Sequence, residues 1–317
     1  MDKNEVLRIY REMLVIRLFE DRAGVAYMQD KIGGYLHLYI GQEAVACGLI
    51  SALQPDDPVI ASYRDHGHYL ACGADINEGM AELYGKATGC SKGKGGSMHL
   101  FSKEHRFYGG SGIVGAGIGL GTGLAFALKY RQQKGVCLSF FGDGACQTGI
   151  FHESMNLASL WNLPIIFVIE NNGYAMGTSV DRSSSEPEFY KRAAAYRMHG
   201  ERVDGMDLFK VRETADRLIP EVRETCRPVL LEVMTYRYRG HGAADPGNYR
   251  TKQEVEEWRQ RDPIGMVESW LLKNKVIKEA DVKSIHAEVQ AEVEECLRFA
   301  EESPFPAPEA LYEDIFA

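Results

Sequence analysis

The chain of 317 residues contains no apolar run long enough to cross a bilayer, and it has no excess of basic residues. Its 36 lysines and arginines are outnumbered by 45 aspartates and glutamates, which gives a net charge of −9. Nucleic acids and anionic membrane surfaces are bound by basic faces. We therefore predict neither a nucleic-acid partner nor a membrane partner. The first residues, MDKNEVLRIYREML, lack the apolar core of a signal peptide and are typical of an amphipathic helix.

Cysteine pairs with the spacing of metal or disulfide sites are also absent. The seven cysteines are odd in number, and none forms a CxxC pair. A disulfide framework or a structural zinc site is therefore not predicted, and reduced thiols are expected. Reduced thiols favour the bacterial cytoplasm, or an organelle matrix if a transit peptide has been removed.

The sequence has no dinucleotide-binding fingerprint. Glycine occupies every second position from Gly115 to Gly123, and this pattern does not fit GxGxxG. A helix whose first turns carry so few side chains allows close approach to its backbone. Either another helix or a ligand could make that approach.

The most regular part of the chain predicts an α/β fold. The apolar runs VCLSFFG (136–142) and PIIFVIE (164–170) are typical of buried strands, with a helical segment between them. Such a βαβ unit predicts parallel strands. VLLEVMTYR (229–237) is a further buried strand. We expect one domain over residues 1–317: a parallel sheet with helices on both faces, an N-terminal helical segment and an acidic helical tail from about Lys252.

Polar residues follow two neighbouring strands where each strand ends. Asp143 lies between two glycines after the first strand, and Asn172 follows the second. Ligands of open α/β sheets bind outside the carboxyl ends of the strands, so these side chains can meet. A carboxylate and an amide oxygen suit Mg²⁺, and the glycines allow backbone amides to reach a phosphate. Alternatively, GDG and NNG are only turns that end the two strands.

These residues also form a known pattern. GDG followed by 26 residues and then NN resembles the thiamine-diphosphate motif. The segments GGSMHLF, FYGGSGIVGAG, FFGDGACQTG, VIENNGYAMGTSVDRSS and TYRYRGHGAADPG resemble the alpha subunits of thiamine-dependent 2-oxo-acid dehydrogenases. The resemblance extends from about Leu7 to Ile264. It implies a thiamine-diphosphate-binding fold, with thiamine diphosphate and Mg²⁺ as cofactors.

The resemblance implies three groups of site residues, with one histidine in two of them. The metal ligands would be Asp143, Asn172 and the backbone carbonyl of Tyr174. The cofactor would be bound by Asp143, Asn172, Tyr63, Arg64, Gly112, Val114, Gly144, Ala145 and His241. His241 and His37 would be the catalytic residues, near the reacting carbons and the substrate.

These side chains could also have roles that are not functional. From the residues alone, Arg64 could instead pair with a carboxylate, and a lone loop histidine is more often a surface residue than a catalyst. His66 and His68 are predicted to be structural. Gly242 follows His241 where animal members of the family carry a phosphorylatable serine, so that position cannot be phosphorylated here.

The resemblance further implies an activity and partners. The activity is oxidative decarboxylation of pyruvate followed by reductive acetylation of a lipoyl group. The partners are a beta subunit in an α₂β₂ heterotetramer, which supplies the glutamate that activates the cofactor, and a lipoyl acyltransferase. Acetoin and branched 2-oxo acids are alternative substrates. A non-catalytic binding or scaffold subunit is the alternative from another class.

Overall fold

The computed structural model describes residues 1–315. Within them, the helices are α1 (Lys3–Met28), α2 (Glu43–Ile50), α3 (His66–Ala71), α4 (Ile76–Leu83), α5 (Ala116–Tyr130), α6 (Gly149–Trp161), α7 (Val180–Ser183), α8 (Leu208–Thr225), α9 (Lys252–Arg259), α10 (Pro263–Lys273) and α11 (Glu279–Glu302). The strands are β1 (Val59–Ile60), β2 (Cys137–Gly142), β3 (Ile165–Asn171), β4 (Tyr174–Ala175), β5 (Thr178–Ser179), β6 (His199–Asp204) and β7 (Val229–Met234). Short 3₁₀ helices cover Gly96–Met98, Asp143–Gln147, Phe189–Tyr196 and Pro308–Tyr312.

Five parallel strands form the central sheet in the order β1-β2-β3-β7-β6. The predicted βαβ unit is β2-α6-β3, and its two strands are direct neighbours. The predicted α/β class with a parallel sheet is thus confirmed. The small pair β4-β5 is a separate antiparallel hairpin.

The sheet is buried on both faces, which explains its continuous apolar runs. Successive side chains of a strand point to opposite faces. Leu138 and Phe140 accordingly belong to one hydrophobic core, whereas Cys137 and Phe141 belong to a second core. Contacts of α8 and α5 with the strands supply part of the two covering layers.

Strand β6 was not predicted, because its sequence HGERVD lacks an apolar run. It lies at the edge of the sheet and pairs only with β7, and all its side chains are exposed or partly exposed. Pairing of its backbone with β7, rather than burial of its side chains, therefore defines this strand. Backbone pairing does not require apolar side chains, so a search for hydrophobic patterns does not detect this strand.

The glycines of α5 meet the sheet and a neighbouring helix. A Cβ atom on Gly117 would lie 3.0 Å from the carbonyl oxygen of Ala61, and one on Gly121 would lie 2.9 Å from Cβ of Ser139. On Gly119 it would lie 3.0 Å from Cδ1 of Ile150 in α6. Close packing thus explains these three glycines.

Two predictions about the whole chain can be compared with the structure. All seven cysteines are free thiols. No helix within residues 1–315 combines the length and the apolar character that crossing a membrane requires.

Candidate cofactor site

A cavity of about 620 Å³ lies at the carboxyl edge of the sheet. Strand register creates this edge: Gly142 of β2 pairs with Glu170 of β3, and Glu170 pairs with Val233 of β7. The residues that follow these strands therefore emerge side by side. The cavity is lined by Tyr35, His37, Gln42, Ser62, Tyr63, Arg64, Met98, Gly112, Val114, Gly115, Gly142, Asp143, Gly144, Ala145, Glu170, Asn172, Tyr174, Ala175, Met176, Arg237 and His241.

Every residue that the sequence predicted for the site lines this one cavity. They come from six separate parts of the chain: the loop after α1, the segment after β1, the glycine-rich segment before α5, and the loops after β2, β3 and β7. The structure thus brings the predicted set together. Their individual roles remain predictions.

Asp143 and Asn172 form the oxygen-rich corner of the cavity. Asp143 is buried, and its Oδ2 atom has no hydrogen-bond partner within the described residues. Burial raises the pKa of its carboxyl to about 6, although backbone amides and the charge of Arg237 oppose the shift. The side-chain amide nitrogen of Asn172 donates to Gln42 Oε1 at 3.1 Å, and its Oδ1 atom accepts only long contacts, from the amide of Tyr174 at 3.4 Å and from Nη1 of Arg237 at 3.5 Å. This oxygen is the atom of Asn172 that could bind a cation.

This corner fits a hard cation that keeps other oxygen ligands. Residues 1–315 contain no group of three or more His, Cys, Asp or Glu side chains that could hold a metal. Mg²⁺ does not need such a group, because it commonly uses one or two protein ligands with waters and substrate phosphates. One carboxylate oxygen without a partner, one amide oxygen and the carbonyl of Tyr174 satisfy that requirement.

Two buried arginines line the cavity, and neither pairs with a carboxylate of the described chain. Arg64 donates to the carbonyl oxygens of Leu38 at 2.6 Å and His241 at 2.8 Å. Arg237 donates to the hydroxyl of Tyr249 at 2.7 Å and also to two backbone carbonyls of the segment after β3. Burial lowers the pKa of Arg64 to about 10, so it remains charged. A pair of buried cations without anionic partners makes the cavity attractive to a polyanion.

His37 and His241 face each other in the cavity. Their ring centroids are 5.2 Å apart, and the ring of Tyr63 lies 4.7 Å from His37 and 5.7 Å from His241. Burial, reinforced by Arg64, lowers the pKa of His37 to about 3 and that of His241 to about 4. Both rings are therefore neutral at pH 7. Each has a buried Nδ1 atom with no partner within residues 1–315, so each can accept or donate a hydrogen bond to a ligand.

Sequence reasoning missed Glu170 and Arg237 as residues of the cavity. Glu170 accepts hydrogen bonds from the Tyr39 hydroxyl and, at 3.1 Å, from Nε2 of His68. Both missed residues lie at or just after the carboxyl ends of strands. The same rule that located Asp143 could therefore have found them.

The two histidines after β1 are buried, as befits a structural role. His66 contacts Glu20 through Nδ1 at 3.0 Å and the Ser97 hydroxyl through Nε2 at 3.0 Å. His68 is also fully buried, between Glu170 and the ring of Phe140.

The fold and the cavity define an α/β protein with a cationic, oxygen-lined pocket at the carboxyl edge of a parallel sheet. Residues 11–309 match the family model described as "Dehydrogenase E1 component". The chain therefore belongs to the dehydrogenase E1 component family of thiamine-diphosphate-dependent enzymes.

Curated relatives agree with this family over nearly the full chain. The pyruvate dehydrogenase E1 component subunit alpha of Rhizobium meliloti is 51% identical over 314 residues, which cover 99% of this chain and 90% of that protein. The subunit of the same name from Rickettsia conorii is 46% identical, with 99% and 96% covered. The alpha-3 chloroplastic subunit of Arabidopsis thaliana is 46% identical, with 99% and 75% covered.

Proposed function

We propose that this chain is the alpha subunit of the first component of a pyruvate dehydrogenase complex. The proposal rests chiefly on one observation: all the residues that the family resemblance assigns to the cofactor line a single cavity. Full-length relatives named as pyruvate dehydrogenase alpha subunits support pyruvate as the substrate. Reductive acetylation of a lipoyl group on an acyltransferase partner would follow decarboxylation.

The diphosphate of the cofactor would lie between the arginines and the oxygen-rich corner. Arg64 supplies a positive charge that no carboxylate neutralises, and Gly144 and Ala145 present backbone to the same space. Asp143, Asn172 and the Tyr174 carbonyl would hold Mg²⁺ against the phosphates. The oxygen ligands are assigned to Mg²⁺ because this cation prefers hard oxygens, and Arg64 is assigned to the diphosphate because a guanidinium group binds phosphate well.

Bound thiamine diphosphate supplies the carbanion that attacks a 2-oxo acid and the ring that accepts electrons as carbon dioxide leaves. The chain's own residues would bind and orient the cofactor and the substrate. Tyr63, Gly112 and Val114 line the cavity and would contact the middle of the bound cofactor. His37 and His241 are neutral at pH 7 and could each hold or deliver a proton at the substrate.

The chain provides half of an active site. Among residues 1–315, Glu170 is the only glutamate that lines the cavity, and its Oε1 atom already accepts from the Tyr39 hydroxyl and from Nε2 of His68. We therefore propose that the glutamate that activates the cofactor comes from a beta subunit, in an α₂β₂ assembly. The compartment that we propose is the bacterial cytoplasm or an organelle matrix, where thiols stay reduced.

The activity is tested by mixing the purified chain with its beta subunit and a lipoylated acyltransferase. Pyruvate should be decarboxylated and the lipoyl group acetylated only when both subunits are present. Acetoin and branched 2-oxo acids are assayed in parallel. If kcat/KM is higher for one of them than for pyruvate, that compound is the substrate and pyruvate is not. Comparable turnover by the isolated chain would refute the proposal that the chain provides only half of an active site. Absence of thiamine-diphosphate binding by the assembled enzyme would support a non-catalytic subunit.

The metal assignment has its own test. Asp143→Asn keeps the shape of the side chain but removes the charged ligand, so Mg²⁺-dependent binding of thiamine diphosphate should be nearly lost. Calorimetry measures this binding, and circular dichroism checks that the fold survives. Asp181→Asn, at an exposed position of α7, is the control. Equal affinities of both variants would remove Asp143 from the metal site.

A further inference from the structure

Glu82 is a fully buried carboxylate whose hydrogen-bond partners are all backbone amides. It lies near the end of α4. Its Oε2 atom accepts from the amides of Ser91 and Gly93, both at 2.8 Å. Its Oε1 atom accepts from Gly95 at 2.7 Å and Gly96 at 3.0 Å. A single side chain thus binds four backbone amides of the segment 89–98, which we call the glycine loop.

The glycines of this loop are required by its path around the carboxylate. A Cβ atom on Gly89 would lie 2.3 Å from Oε2 of Glu82. Gly93 has a φ of +75°, and a Cβ atom there would lie 2.7 Å from the backbone of Gly85. A Cβ atom on Gly95 would lie 2.3 Å from the carbonyl oxygen of His99. The loop is therefore shaped to bring its amides to Glu82, and side chains at these positions would break that shape.

The far end of the glycine loop forms part of the cofactor cavity. Met98 lines the cavity. A Cβ atom on Gly112, also a cavity residue, would lie 3.6 Å from Sδ of Met98 and 3.7 Å from Nε2 of His99. Ser97 is fixed by His66, and the amide of Leu100 donates to Asp65 at 3.3 Å. Met98 and His99 thus lie next to Gly112, directly after the backbone amides that Glu82 binds.

We propose that Glu82 is a positioning residue for the cofactor: it holds the glycine loop so that Met98 and His99 support Gly112 at the wall of the cavity. This inference rests on the proposed function, because it assumes that the cavity binds thiamine diphosphate. The carboxylate is needed because it offers two acceptor oxygens. A carboxamide offers one oxygen and an NH₂ group, so two of the four amides would face a donor.

The central experiment compares Glu82→Gln with the wild-type protein in the assembled enzyme. The apparent Kd of thiamine diphosphate, measured by calorimetry at saturating Mg²⁺, should rise about tenfold, which corresponds to about 1.4 kcal/mol. The kcat at saturating cofactor should stay within about twofold of wild type, since Glu82 touches no reacting atom. Amide hydrogen exchange of residues 89–100 should become faster in the variant.

Controls separate positioning from general stability. Glu78→Gln changes an exposed side chain one turn earlier on α4 and should leave affinity and exchange unchanged. Glu82→Asp keeps two acceptor oxygens and should restore part of the affinity, and it also serves as the test if Glu82→Gln does not fold. A residue with only a structural role would lower the fraction of active enzyme without raising the cofactor Kd.

The outcomes distinguish this inference from the proposed function. Wild-type Kd and wild-type exchange in Glu82→Gln would overturn the role of Glu82. Faster exchange with an unchanged Kd would overturn the link between the glycine loop and the cofactor. If the wild-type assembly binds no thiamine diphosphate, the proposed function fails, and the positioning role for that cofactor fails with it, whatever the exchange data show.

Discussion

Arg64 donates a hydrogen bond from Nη2 to the backbone carbonyl oxygen of His241, at 2.8 Å. Its Nη1 atom donates to the carbonyl of Leu38, directly after His37, at 2.6 Å. One guanidinium therefore fastens the two segments that carry the cavity's histidines. Because both acceptors are neutral carbonyls, the positive charge of Arg64 stays available for an anion.

The first prediction concerns the planar guanidinium group of Arg64. Arg64→Lys keeps a charge but cannot reach two carbonyls and a phosphate in one plane. Loss of a hydrogen bond to a charged group is worth about 1.5–3 kcal/mol, so the Kd of thiamine diphosphate should rise about tenfold to a hundredfold. Calorimetry measures it, and Arg106→Lys at a more exposed ion pair is the control. An unchanged Kd would show that Arg64 only braces the loops.

The second prediction is a pH dependence of stability. The pKa of His37 is lowered to about 3 by burial and by Arg64, whereas an unfolded histidine titrates near 6.5. Between these values the unfolded chain binds the extra proton, so the folded state loses stability as the pH falls below about 6.5. From pH 7.5 to pH 5 this loss should be about 2 kcal/mol for this one residue.

Urea unfolding of the cofactor-free chain at the two pH values measures this loss. His37→Gln cannot titrate and should reduce the pH dependence by about the same 2 kcal/mol. His152→Gln, at an exposed position of α6, should leave most of it in place. Equal pH dependences in wild type and His37→Gln would mean that His37 is solvated when folded.

The sequence predicted the parts of the fold that depend on apolar burial. Strands β2 and β3 are continuous apolar runs because both faces of the sheet are covered. Asp143 and Asn172 could be located because the carboxyl ends of parallel strands share one edge. Strand β6 could not be found in this way, since its backbone pairing leaves its side chains polar and partly exposed.

The hydrogen-bond partners of the buried charges were the least predictable part of the structure. Arg237 is 2% exposed, and its hydrogen bonds go to backbone carbonyls, a tyrosine hydroxyl and an amide oxygen rather than to a carboxylate. Its acceptors include the carbonyls of Tyr174 and Met176, about sixty residues earlier in the chain. Glu82 is equally hidden, because its four partners are backbone amides that no residue type reveals. Contacts of side chains with distant backbone have no sequence pattern.

The third prediction separates binding from turnover at His241. His241→Asn removes a ring that can transfer a proton, and general acid–base catalysis contributes about 10²- to 10⁴-fold. Acetylation of the lipoyl group should therefore slow at least about a hundredfold, while the cofactor Kd changes by less than about threefold. His105→Asn, outside the cavity, is the control. A wild-type acetylation rate would leave His241 without a catalytic role.

The fourth prediction concerns the mobility of the loop that carries His241. Residues 235–251 contain no helix or strand and include several glycines, and Arg64 and Asp245 hold the backbone of His241. A bound diphosphate would add contacts at Arg64, which holds the backbone of His241, so limited proteolysis within this loop should be slower with thiamine diphosphate and Mg²⁺. Thiamine without phosphates is the matched control. Equal cleavage in all three states would contradict a loop that responds to the cofactor.

The last prediction uses two glycines at the start and middle of α5. Gly115 caps this helix with a φ of +83°, and a Cβ atom there would lie 2.7 Å from Oγ1 of Thr148. Gly115→Ala should therefore lower the free energy of unfolding by about 1–3 kcal/mol.

Gly123 lies in the same helix, and a Cβ atom there would meet nothing within 4 Å. Gly123→Ala should instead raise the free energy by about 0.5–1 kcal/mol, because alanine loses less backbone entropy on folding. Urea midpoints of the isolated chain at one pH compare the two variants. Opposite signs are expected, and a raised free energy of unfolding in Gly115→Ala would show that neither its backbone conformation nor the contact with Thr148 requires glycine there.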